Sequence, residues 1–525
     1  MVAAAGWVAV KWVAVLVLVA ALTACADTVG PEPAAQPPGL APAMPLPDNA
    51  VADAVARLDG IAADLMTSTG IPGLAVAVVH GGKNLYAKGF GVRDVRSGEP
   101  VDAETVFQLA SLSKPIAATV VAQQVGTGAI TWDTPVSGAL PWFALSDPAV
   151  TRMVTVGDFF AHRSGLPDHA GDLLEDLGYD RRAVLERLRL LPLAPFRTSY
   201  AYTNFGVTAA AEAVAATAGR DWADLSESVL YRPLGMSTAS SRFADFQARA
   251  NRALGHVKVD GAYQPRYTRD PDAQSPAGGV SGSVQDMAAW LAMVLADGSH
   301  QGETIVDPEA LLPALTPQMV SNPPDEPAER SGFYGYGFNI STSPAGRVRF
   351  SHSGAFELGA ATTFVIIPAA DVAIVALTNA APVGVAEALT AEFADLVEFG
   401  EVRQDWRRLY ADAFAQMDQP STTTPPVSPA PAGPPSRYVG TYASAYWGPA
   451  AVAEAAGGLT LSLGPRPDPY PLKHAGGDTF TMTFVSETVP SRGASTVRFR
   501  GDEMTIEFLD GDGMGTFVRA EGRPR

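Results

Sequence analysis

Apolar residues fall at helical spacing from about Asn49 onward, so the folded part of the chain is predicted to begin with a helix. Two strand-like runs follow at 73–80 and 84–91, and Gly81 and Gly82 between them predict a tight turn. From there to about residue 345, helical segments alternate with loop-rich ones. The pattern predicts a hairpin near the start of the domain, followed by a long and mainly helical block.

Two further strand-like runs occur much later, at 361–367 and 372–379, with a turn at 368–371 between them. Residues 384–417 are predicted to be helical. An order of helix, strands, helical block, strands and helix is typical of an α+β fold. We therefore predict a domain over residues 49–417 in which N- and C-terminal strands share one antiparallel sheet flanked by helices.

A second, smaller unit is predicted beyond a proline-rich segment. Residues 418–436 are rich in proline, serine and threonine and cannot hold regular structure, so they are predicted to form a linker. From 437 to 525, short runs alternate apolar and polar residues and are separated by glycine and proline turns. This pattern predicts a small all-β barrel or sandwich.

The N-terminal residues have the pattern of an export signal. Lys11 precedes the apolar run 12–22, which is short for a membrane span but suits the apolar part of a signal peptide. The run leads into Leu-Thr-Ala-Cys, which resembles a bacterial lipobox, and Cys25 is the only cysteine. We predict a lipoprotein-type signal over 1–25 and a Pro/Ala-rich tether over 26–48. A lipid on Cys25 would hold the protein on the periplasmic or extracellular face of a membrane. An ordinary signal peptide or an anchor helix is the alternative.

Composition and charge restrict the partners. Of the 525 residues, 47% are hydrophobic and 18% are charged, which are values of globular proteins, and the length suits two folded units. The formal charge of -18 comes with no basic cluster, so we expect no nucleic acid partner. The sequence has no H-E-x-x-H motif and no paired Cys/His ligands, so we predict no metal and no cofactor. It assigns no oligomeric state.

Ser111 and Lys114 lie three residues apart at a predicted helix start, and they are the first candidates for chemistry. Residues i and i+3 share a helix face, so the serine oxygen and the lysine nitrogen can meet. A serine becomes nucleophilic when a neighbouring base takes its proton, and a desolvated lysine can be that base. The chain has only six lysines, and no other lysine has a serine three residues before it. Taken alone, the spacing fits a surface pair on an ordinary helix better.

Tyr202 and Asn204 form a second candidate cluster just before an apolar helical run. The phenol of Tyr202 could move protons if nearby cations favour the phenolate. The amide of Asn204 could hold both the lysine and a substrate carbonyl. Taken alone, these residues also fit a helix-capping turn with a packed tyrosine.

The third cluster is His352, Ser353, Gly354 and Ala355, on a predicted edge strand. A substrate could add to this strand through main-chain hydrogen bonds, and the glycine permits a close backbone approach. The Ala355 N–H, together with the Ser111 N–H, would form an oxyanion hole. Taken alone, His352 fits a structural histidine, the role that we assign to the other six histidines.

The three clusters together resemble those of serine hydrolases related to penicillin-binding proteins and class C β-lactamases. Their order is S-x-x-K, Y-x-N and H-S-G, with spacings of 91 and 150 residues. The resemblance extends to His-Arg-Ser-Gly-Leu-Pro at 162–167, Tyr-Arg-Pro-Leu-Gly-Met at 231–236 and Ala-Gly-Gly-Val at 277–280. It covers about residues 50–400 and implies a β-lactamase/transpeptidase-like α+β domain. More weakly, 437–525 resembles the lipocalin-like barrel found after some of these hydrolases.

The resemblance implies a role for each motif residue. Ser111 would be the acylated nucleophile and Lys114 its general base. Tyr202 would relay a proton to the leaving group, and Asn204 would position Lys114 and the substrate amide. His352 would line the strand that binds substrate. Whether Lys114 or Tyr202 is the primary base stays open.

One departure from the family pattern narrows the expected substrate. β-Lactamases and D,D-peptidases of this group have K-T-G where this chain has His352, Ser353 and Gly354. A lysine gives a permanent cation for a substrate carboxylate, whereas a histidine is mostly neutral at pH 7. We therefore expect an exported serine hydrolase that acts on peptide carbonyls, including those of D-amino acids, or on ester carbonyls.

Three alternatives to this function stay open. The protein could be a β-lactamase or a D,D-carboxypeptidase. It could be a non-catalytic, penicillin-binding-like surface lipoprotein. In the third alternative, a membrane-bound hydrolase works mainly through its β domain, which captures a lipid or a peptide.

Overall fold

The computed structural model describes four ranges of the chain, 39–417, 430–466, 468–487 and 494–520. The predicted signal over 1–25, the predicted lipidation at Cys25 and most of the predicted tether and linker lie outside these ranges. Among the helices in the described ranges, none combines the length and the apolar character that a membrane span needs.

Helices and strands of the described residues are numbered separately in chain order. The α-helices are α1 Ala50–Thr69, α2 Ser113–Gly126, α3 Val136–Ala139, α4 Pro148–Met153, α5 Val156–Phe160, α6 Asp172–Asp176, α7 Arg181–Arg187, α8 Asn204–Ala218, α9 Trp222–Ser226, α10 Phe243–Ala248, α11 Ser275–Gly278, α12 Val284–Leu295, α13 Pro308–Leu311, α14 Val385–Phe399 and α15 Trp406–Met417. The strands are β1 Gly73–His80, β2 Lys83–Gly91, β3 Phe107–Gln108, β4 Val257–Val259, β5 Ala262–Gln264, β6 Ser281–Gly282, β7 Ser299–His300, β8 Glu303–Thr304, β9 Met319–Asn322, β10 Gly332–Tyr334, β11 Asn339–Thr342, β12 Val348–Phe356, β13 Ala360–Ile367, β14 Val372–Thr378, β15 Gly440–Ser444, β16 Gly448–Ala455, β17 Gly458–Leu463, β18 Tyr470–Gly476, β19 Thr479–Thr483, β20 Ala494–Arg500, β21 Glu503–Ile506 and β22 Thr516–Arg519.

The first domain is built on one eight-stranded sheet with the order β2-β1-β14-β13-β12-β11-β10-β9. β1 pairs antiparallel with its hairpin partner β2 on one side and with β14 on the other, so that Leu74 lies opposite Phe90 and Thr378. Strands from both ends of the domain therefore share one antiparallel sheet, and the predicted α+β fold is confirmed.

β1 is buried on both faces, which explains its almost continuous apolar sequence. Alternate side chains of a strand point to opposite faces. Leu74, Val76 and Val78 join a core with α1 and α14. Ala75 and Ala77 join the larger core that contains α2, α8 and α12 on the other face. The sheet thus lies between two helical layers, and the larger layer carries the candidate site.

The predicted helix over 384–417 is wrong in one respect, because it is two helices, α14 and α15. Gly400 lies directly after α14 with a φ of 75°, in the left-handed region that suits glycine. Its N–H donates to the carbonyl of Leu396 at 2.9 Å and caps the helix. The chain then turns before α15 begins at Trp406.

The prediction that His352 lies on an edge strand is also wrong for the strand as a whole. β12 lies inside the sheet, since β11 pairs with residues 348–351 and β13 pairs with residues 350–356. The β11 register ends at Ser351. Within the described pairings, residues 352–356 are therefore bonded to β13 alone, and this end of β12 borders the candidate site.

The second domain is a closed antiparallel barrel of β15 to β22, which confirms the predicted all-β unit and selects the barrel over the sandwich. Aromatic rings fill its interior. The Tyr438 ring centroid lies 5.0 Å from the centroids of Phe480 and Phe499. The barrel also contacts the first domain, because the hydroxyl of Tyr179 donates to the carbonyl of Trp447 at 2.9 Å.

Candidate active site

Ser111 lies in a single 3-10 turn, Ala110–Leu112, that leads directly into α2. Ala110 has a φ of 48°, a left-handed conformation that is strained for a residue with a Cβ. Ala110 is fully buried and packs against Phe356 and Ala360. Packing against β12 and β13 therefore stabilises the strained turn that presents Ser111 at the surface of the cavity.

Lys114 occupies the first turn of α2 and is completely buried. Its Nζ lies 3.0 Å from Ser111 Oγ, 2.6 Å from Asn204 Oδ1 and 3.0 Å from the carbonyl oxygen of Ala277. A neutral amine has two N–H donors and one lone pair. The two carbonyl-type oxygens can take both N–H donors, which leaves the lone pair for the hydroxyl proton of Ser111. The contacts thus suit a lysine that acts as a base.

Burial lowers the pKa of the Lys114 amine from 10.5 to about 7, against the opposing attraction of the Asp172 carboxylate. Removing an ammonium from water disfavours its charged form, which is the cause of this direction. A lysine of this kind is available as a neutral base near neutral pH.

Tyr202 completes the contacts of the serine. Its hydroxyl donates to Ser111 Oγ at 2.8 Å, and Lys114 Nζ lies 4.4 Å from the centre of its ring. Burial raises the pKa of the Tyr202 phenol well above 10. The phenol therefore keeps its proton and can act as a donor, while the phenolate that we considered from the sequence is disfavoured.

The segment 162–203 that carries Tyr202 is attached to the domain at several points. The carboxylate of Asp158 accepts hydrogen bonds from Arg163 Nε at 2.8 Å and Arg197 Nη2 at 2.7 Å. His162 Nδ1 accepts the N–H of Thr203 at 3.1 Å, which fits its assigned structural role. These contacts anchor the segment and so hold the Tyr202 hydroxyl within reach of Ser111 Oγ.

Asp172 and His169 extend the network behind Asn204 and were not predicted from the sequence. Asn204 Nδ2 donates to Asp172 Oδ2 at 2.7 Å, and His169 Nδ1 lies 2.8 Å from the same oxygen. The Asp172 carboxylate raises the pKa of His169. His169, assigned a structural role from the sequence, lies instead on the cavity wall. In the sequence, the three-residue spacing between His169 and Asp172 was the only feature that could have indicated their contact.

The backbone at the end of β12 lies close to Ser111, as we predicted from the glycine at position 354. A Cβ on Gly354 would lie 2.6 Å from the carbonyl oxygen of Leu109 and 2.8 Å from the Ser111 nitrogen, too close for any side chain. Ser353 and Ala355 line the cavity.

The His352 side chain lies behind this strand end and is buried. Its Nε2 is 2.8 Å from the Tyr334 hydroxyl, and its Nδ1 is 2.7 Å from the carbonyl oxygen of Ser353. Burial, reinforced by the charge of Lys114, lowers the pKa of His352 to about 3. The imidazole is therefore neutral and offers no cation to a substrate carboxylate.

A cavity of about 470 Å³ opens over these groups. It is lined by Ser111, His169, Asp172, Glu175, Tyr202, Asn204, Arg269, Gln274, Gly278, Ser353, Ala355, Phe356, Glu357 and Glu487. Glu487 belongs to the barrel domain, so both domains form the site. A larger cleft of about 840 Å³ shares Glu175 with this cavity but is otherwise lined by other residues, among them Trp142 and Arg466, and does not contain Ser111. The described residues include no group of three or more His, Cys, Asp or Glu side chains that could hold a metal.

Comparisons with known proteins agree with this arrangement. Residues 58–398 match the Beta-lactamase family, and residues 424–521 match a domain of unknown function, DUF3471. Penicillin-binding protein 4 of Amycolatopsis lactamdurans is 29% identical over 375 residues, which cover 70% of this chain and 92% of that protein. Esterase EstB of Burkholderia gladioli is 26% identical over 382 residues, covering 66% and 95%. A D-aminopeptidase of Gluconobacter oxydans is 26% identical over 407 residues, covering 73% and 70%.

A solved structure also shares the fold. The octameric penicillin-binding protein homologue from Pyrococcus abyssi matches with a TM-score of 0.58 at 18% identity. The match covers 89% of this chain and 100% of that chain. At this identity, the likeness shows the fold alone.

Proposed function

Because this chain belongs to the beta-lactamase family, we propose that it is a serine hydrolase that works through an acyl-enzyme on Ser111. One observation carries the proposal. Ser111 Oγ lies within hydrogen-bond distance of both Lys114 Nζ, at 3.0 Å, and the Tyr202 hydroxyl, at 2.8 Å. A nucleophile in contact with a buried base and a proton donor is the arrangement that acyl transfer needs.

In the first half-reaction, neutral Lys114 takes the proton of Ser111 as Oγ attacks the substrate carbonyl carbon. The carbonyl oxygen becomes an oxyanion, which the N–H groups of Ser111 and Ala355 stabilise. The bond to the leaving group then breaks. Tyr202 gives its phenolic proton to the leaving group and regains a proton from the Lys114 ammonium.

In the second half-reaction, a water molecule attacks the ester carbonyl of the acylated Ser111. Neutral Lys114 takes the proton of that water through the same hydrogen-bond network. Collapse of the second oxyanion returns the proton to Ser111 Oγ and releases the acid. Asn204 keeps Lys114 in place in both steps, because its Oδ1 lies 2.6 Å from Nζ.

We propose peptide carbonyls, including those of D-amino acids, or ester carbonyls as the substrates. The buried, neutral His352 supports this class over substrates that need a free carboxylate bound beside β12. The esterase and D-aminopeptidase relatives support the same class.

Covalent labelling of Ser111 tests the proposed function. The full chain is incubated with a fluorescent fluorophosphonate probe, and the labelled peptide is identified by mass spectrometry. We expect labelling of wild type, none of Ser111→Ala, and normal labelling of the control Ser97→Ala, which changes an exposed serine outside the cavity. A wild-type protein that stays unlabelled refutes the proposal. Short p-nitrophenyl esters, aminoacyl p-nitroanilides and nitrocefin then separate esterase, peptidase and β-lactamase activity.

Export and lipidation at Cys25 are proposed separately, on the evidence of the sequence pattern alone. The protein would then act in the cell envelope, anchored to a membrane. The test compares wild type with Cys25→Ser for incorporation of radiolabelled palmitate and for sedimentation with membranes. Unlabelled wild-type protein in the soluble fraction refutes the proposal.

A further inference from the structure

The barrel domain contributes a glutamate to the cavity that contains Ser111. Glu487 follows β19, and its Oε1 accepts the backbone N–H of Glu357 at 2.6 Å. Its own N–H donates to Asp176 Oδ1 at 3.4 Å. Glu357 lies just after β12, and Asp176 ends α6. Glu487 is therefore held between the two elements that border the nucleophile, rather than at the barrel surface.

Glu487 meets a buried ion pair inside the cavity. Arg269 Nη2 lies 2.5 Å from Glu175 Oε2, and both side chains are less than a tenth exposed. Arg269 Nε lies 3.7 Å from Glu487 Oε2, which is an ion-pair distance but too long for a hydrogen bond. One guanidinium thus faces two carboxylates. Burial raises the pKa of both glutamates, and the attraction of Arg269 opposes the shift.

The lining as a whole is acidic. Asp172, Glu175, Glu357 and Glu487 supply four carboxyl groups, whereas the lining residues that can carry positive charge are Arg269 and His169, whose pKa is raised by Asp172. Lys114 lies beneath the cavity floor and is half neutral near pH 7. Burial favours the protonated forms of Glu175 and Glu487, whereas a bound ammonium would favour their ionised forms, so cation binding and ionisation of these carboxyl groups are coupled. The cavity therefore favours a cationic ligand over an anionic one.

Three carboxylate oxygens of the lining lack a hydrogen bond. Among the described residues, Asp172 Oδ1, Glu175 Oε1 and Glu487 Oε2 are buried acceptors without a hydrogen bond. Asp172 and Glu175 are three residues apart and share a face of α6. Their side chains are only 6% and 7% exposed. Arg269 Nε also lacks a hydrogen bond and lies 3.7 Å from Glu487 Oε2, so these two atoms can pair with each other. Buried acceptors are normally satisfied, so Asp172 Oδ1 and Glu175 Oε1 call for a donor from a ligand.

We infer that these carboxylates, completed by Glu487 from the barrel, bind the ammonium group of a substrate whose carbonyl is attacked by Ser111. An ammonium has three N–H donors and one positive charge. It can therefore donate hydrogen bonds to these carboxylate oxygens and also neutralise their charge. The inference rests on the proposed serine hydrolase function and narrows its substrates to aminoacyl compounds with a free amine. It also gives the barrel a role in substrate choice.

The test compares two substrates that differ by N-acetylation, which removes the ammonium charge and adds an acetyl group: alanine p-nitroanilide and N-acetylalanine p-nitroanilide, each in its D and L forms. The effect of Glu487→Gln on their ratio separates recognition of the charge from the added bulk. We expect wild type to have at least a tenfold higher kcat/KM for the free amine of the preferred enantiomer. Glu487→Gln should lower that ratio at least tenfold, mainly through KM. The matched control is Glu454→Gln on an exposed position of the same barrel, and its ratio should stay within twofold of wild type.

Two results overturn the inference. A wild-type ratio of one or less shows that the ammonium is not recognised. A loss on Glu487→Gln that is equal for both substrates shows that Glu487 supports the fold only. If neither anilide is cleaved, inhibition of p-nitrophenyl acetate hydrolysis by alaninamide and N-acetylalaninamide gives the same ratio. Fluorophosphonate labelling of Ser111 is independent of the amine, so its absence refutes the hydrolase proposal instead.

Discussion

The pKa of Lys114 leads to a quantitative prediction for the pH dependence of acylation. An ordinary lysine with a pKa near 10.5 would be neutral in roughly one molecule in 3,000 at pH 7. With a pKa of about 7, half of the Lys114 side chains are neutral at that pH. The difference amounts to about 5 kcal/mol between the two protonation states. The burial of Lys114 therefore raises the concentration of the reactive base roughly a thousandfold.

We expect kcat/KM for p-nitrophenyl acetate to rise about tenfold per pH unit below pH 7 and to level off above it. The sign follows from the role of Lys114, because the protonated amine cannot accept the serine proton. Lys114→Arg should be inactive over the whole range from about pH 5 to 9, since a guanidinium keeps its proton. A profile that is flat from pH 5 to 9, or that rises only near pH 10, would refute the reasoning.

Asp172 provides a second check on the same profile. Its carboxylate raises the pKa of Lys114, so Asp172→Asn should move the rising limb to lower pH. His169 also contacts Asp172 and titrates above its ordinary value. His169→Gln is therefore the control, and the limb must persist in that variant if Lys114 is its source. A limb that disappears with His169 assigns the titration to the histidine.

Further predictions concern the residues that hold the site together. Tyr202→Phe keeps the ring over the lysine but removes the hydroxyl, so kcat/KM for the ester should fall about 100-fold or more with an unchanged melting temperature; a change below threefold contradicts the donor role. Gly354→Ala places a Cβ 2.8 Å from the Ser111 nitrogen and should cost about 1–3 kcal/mol in urea unfolding and slow probe labelling; normal stability and labelling would show that the strand can move away. Asp158→Asn removes the buried charge that two partly exposed arginines contact and should cost about 1.5–3 kcal/mol by the same measurement; a cost below 1 kcal/mol would show that solvent already screens these ion pairs.

The fold was largely predictable because local sequence patterns indicate the strands at both ends of the domain, and these strands then pair in one sheet. β1 was predicted at the residues where it is found, since its apolar run is bounded by Gly73 and the turn at Gly81. Gly400 ends α14 through a left-handed cap, but a glycine in an apolar helical pattern is also tolerated inside a helix, which explains the wrong continuous helix. The position of β12 inside the sheet depends on β11, a four-residue strand whose pattern is too short to recognise.

The candidate site was predictable only where its residues follow one another in motifs. Ser111 and Lys114 share a turn, so their contact follows from spacing. Asp172 acts through Asn204, and neither residue carries a signal of that pairing, because it depends on how α6 packs against α8. Glu487 follows a short barrel strand, more than 350 residues beyond the nucleophile. Its position depends on how the two domains dock, which no local pattern encodes.

The two walls of the cavity give independent arguments about the same substrate. On the β12 side, His352 is neutral and buried, so a substrate carboxylate gains no counter-charge there. On the α6 side, Glu175 and Glu487 outnumber Arg269 and leave acceptor oxygens without a hydrogen bond. Each wall disfavours anionic substrates for a different physical reason, and only the second favours a cation. A substrate with a free amine close to the scissile carbonyl satisfies both, whereas a β-lactam carboxylate would meet a neutral wall on one side and an acidic wall on the other.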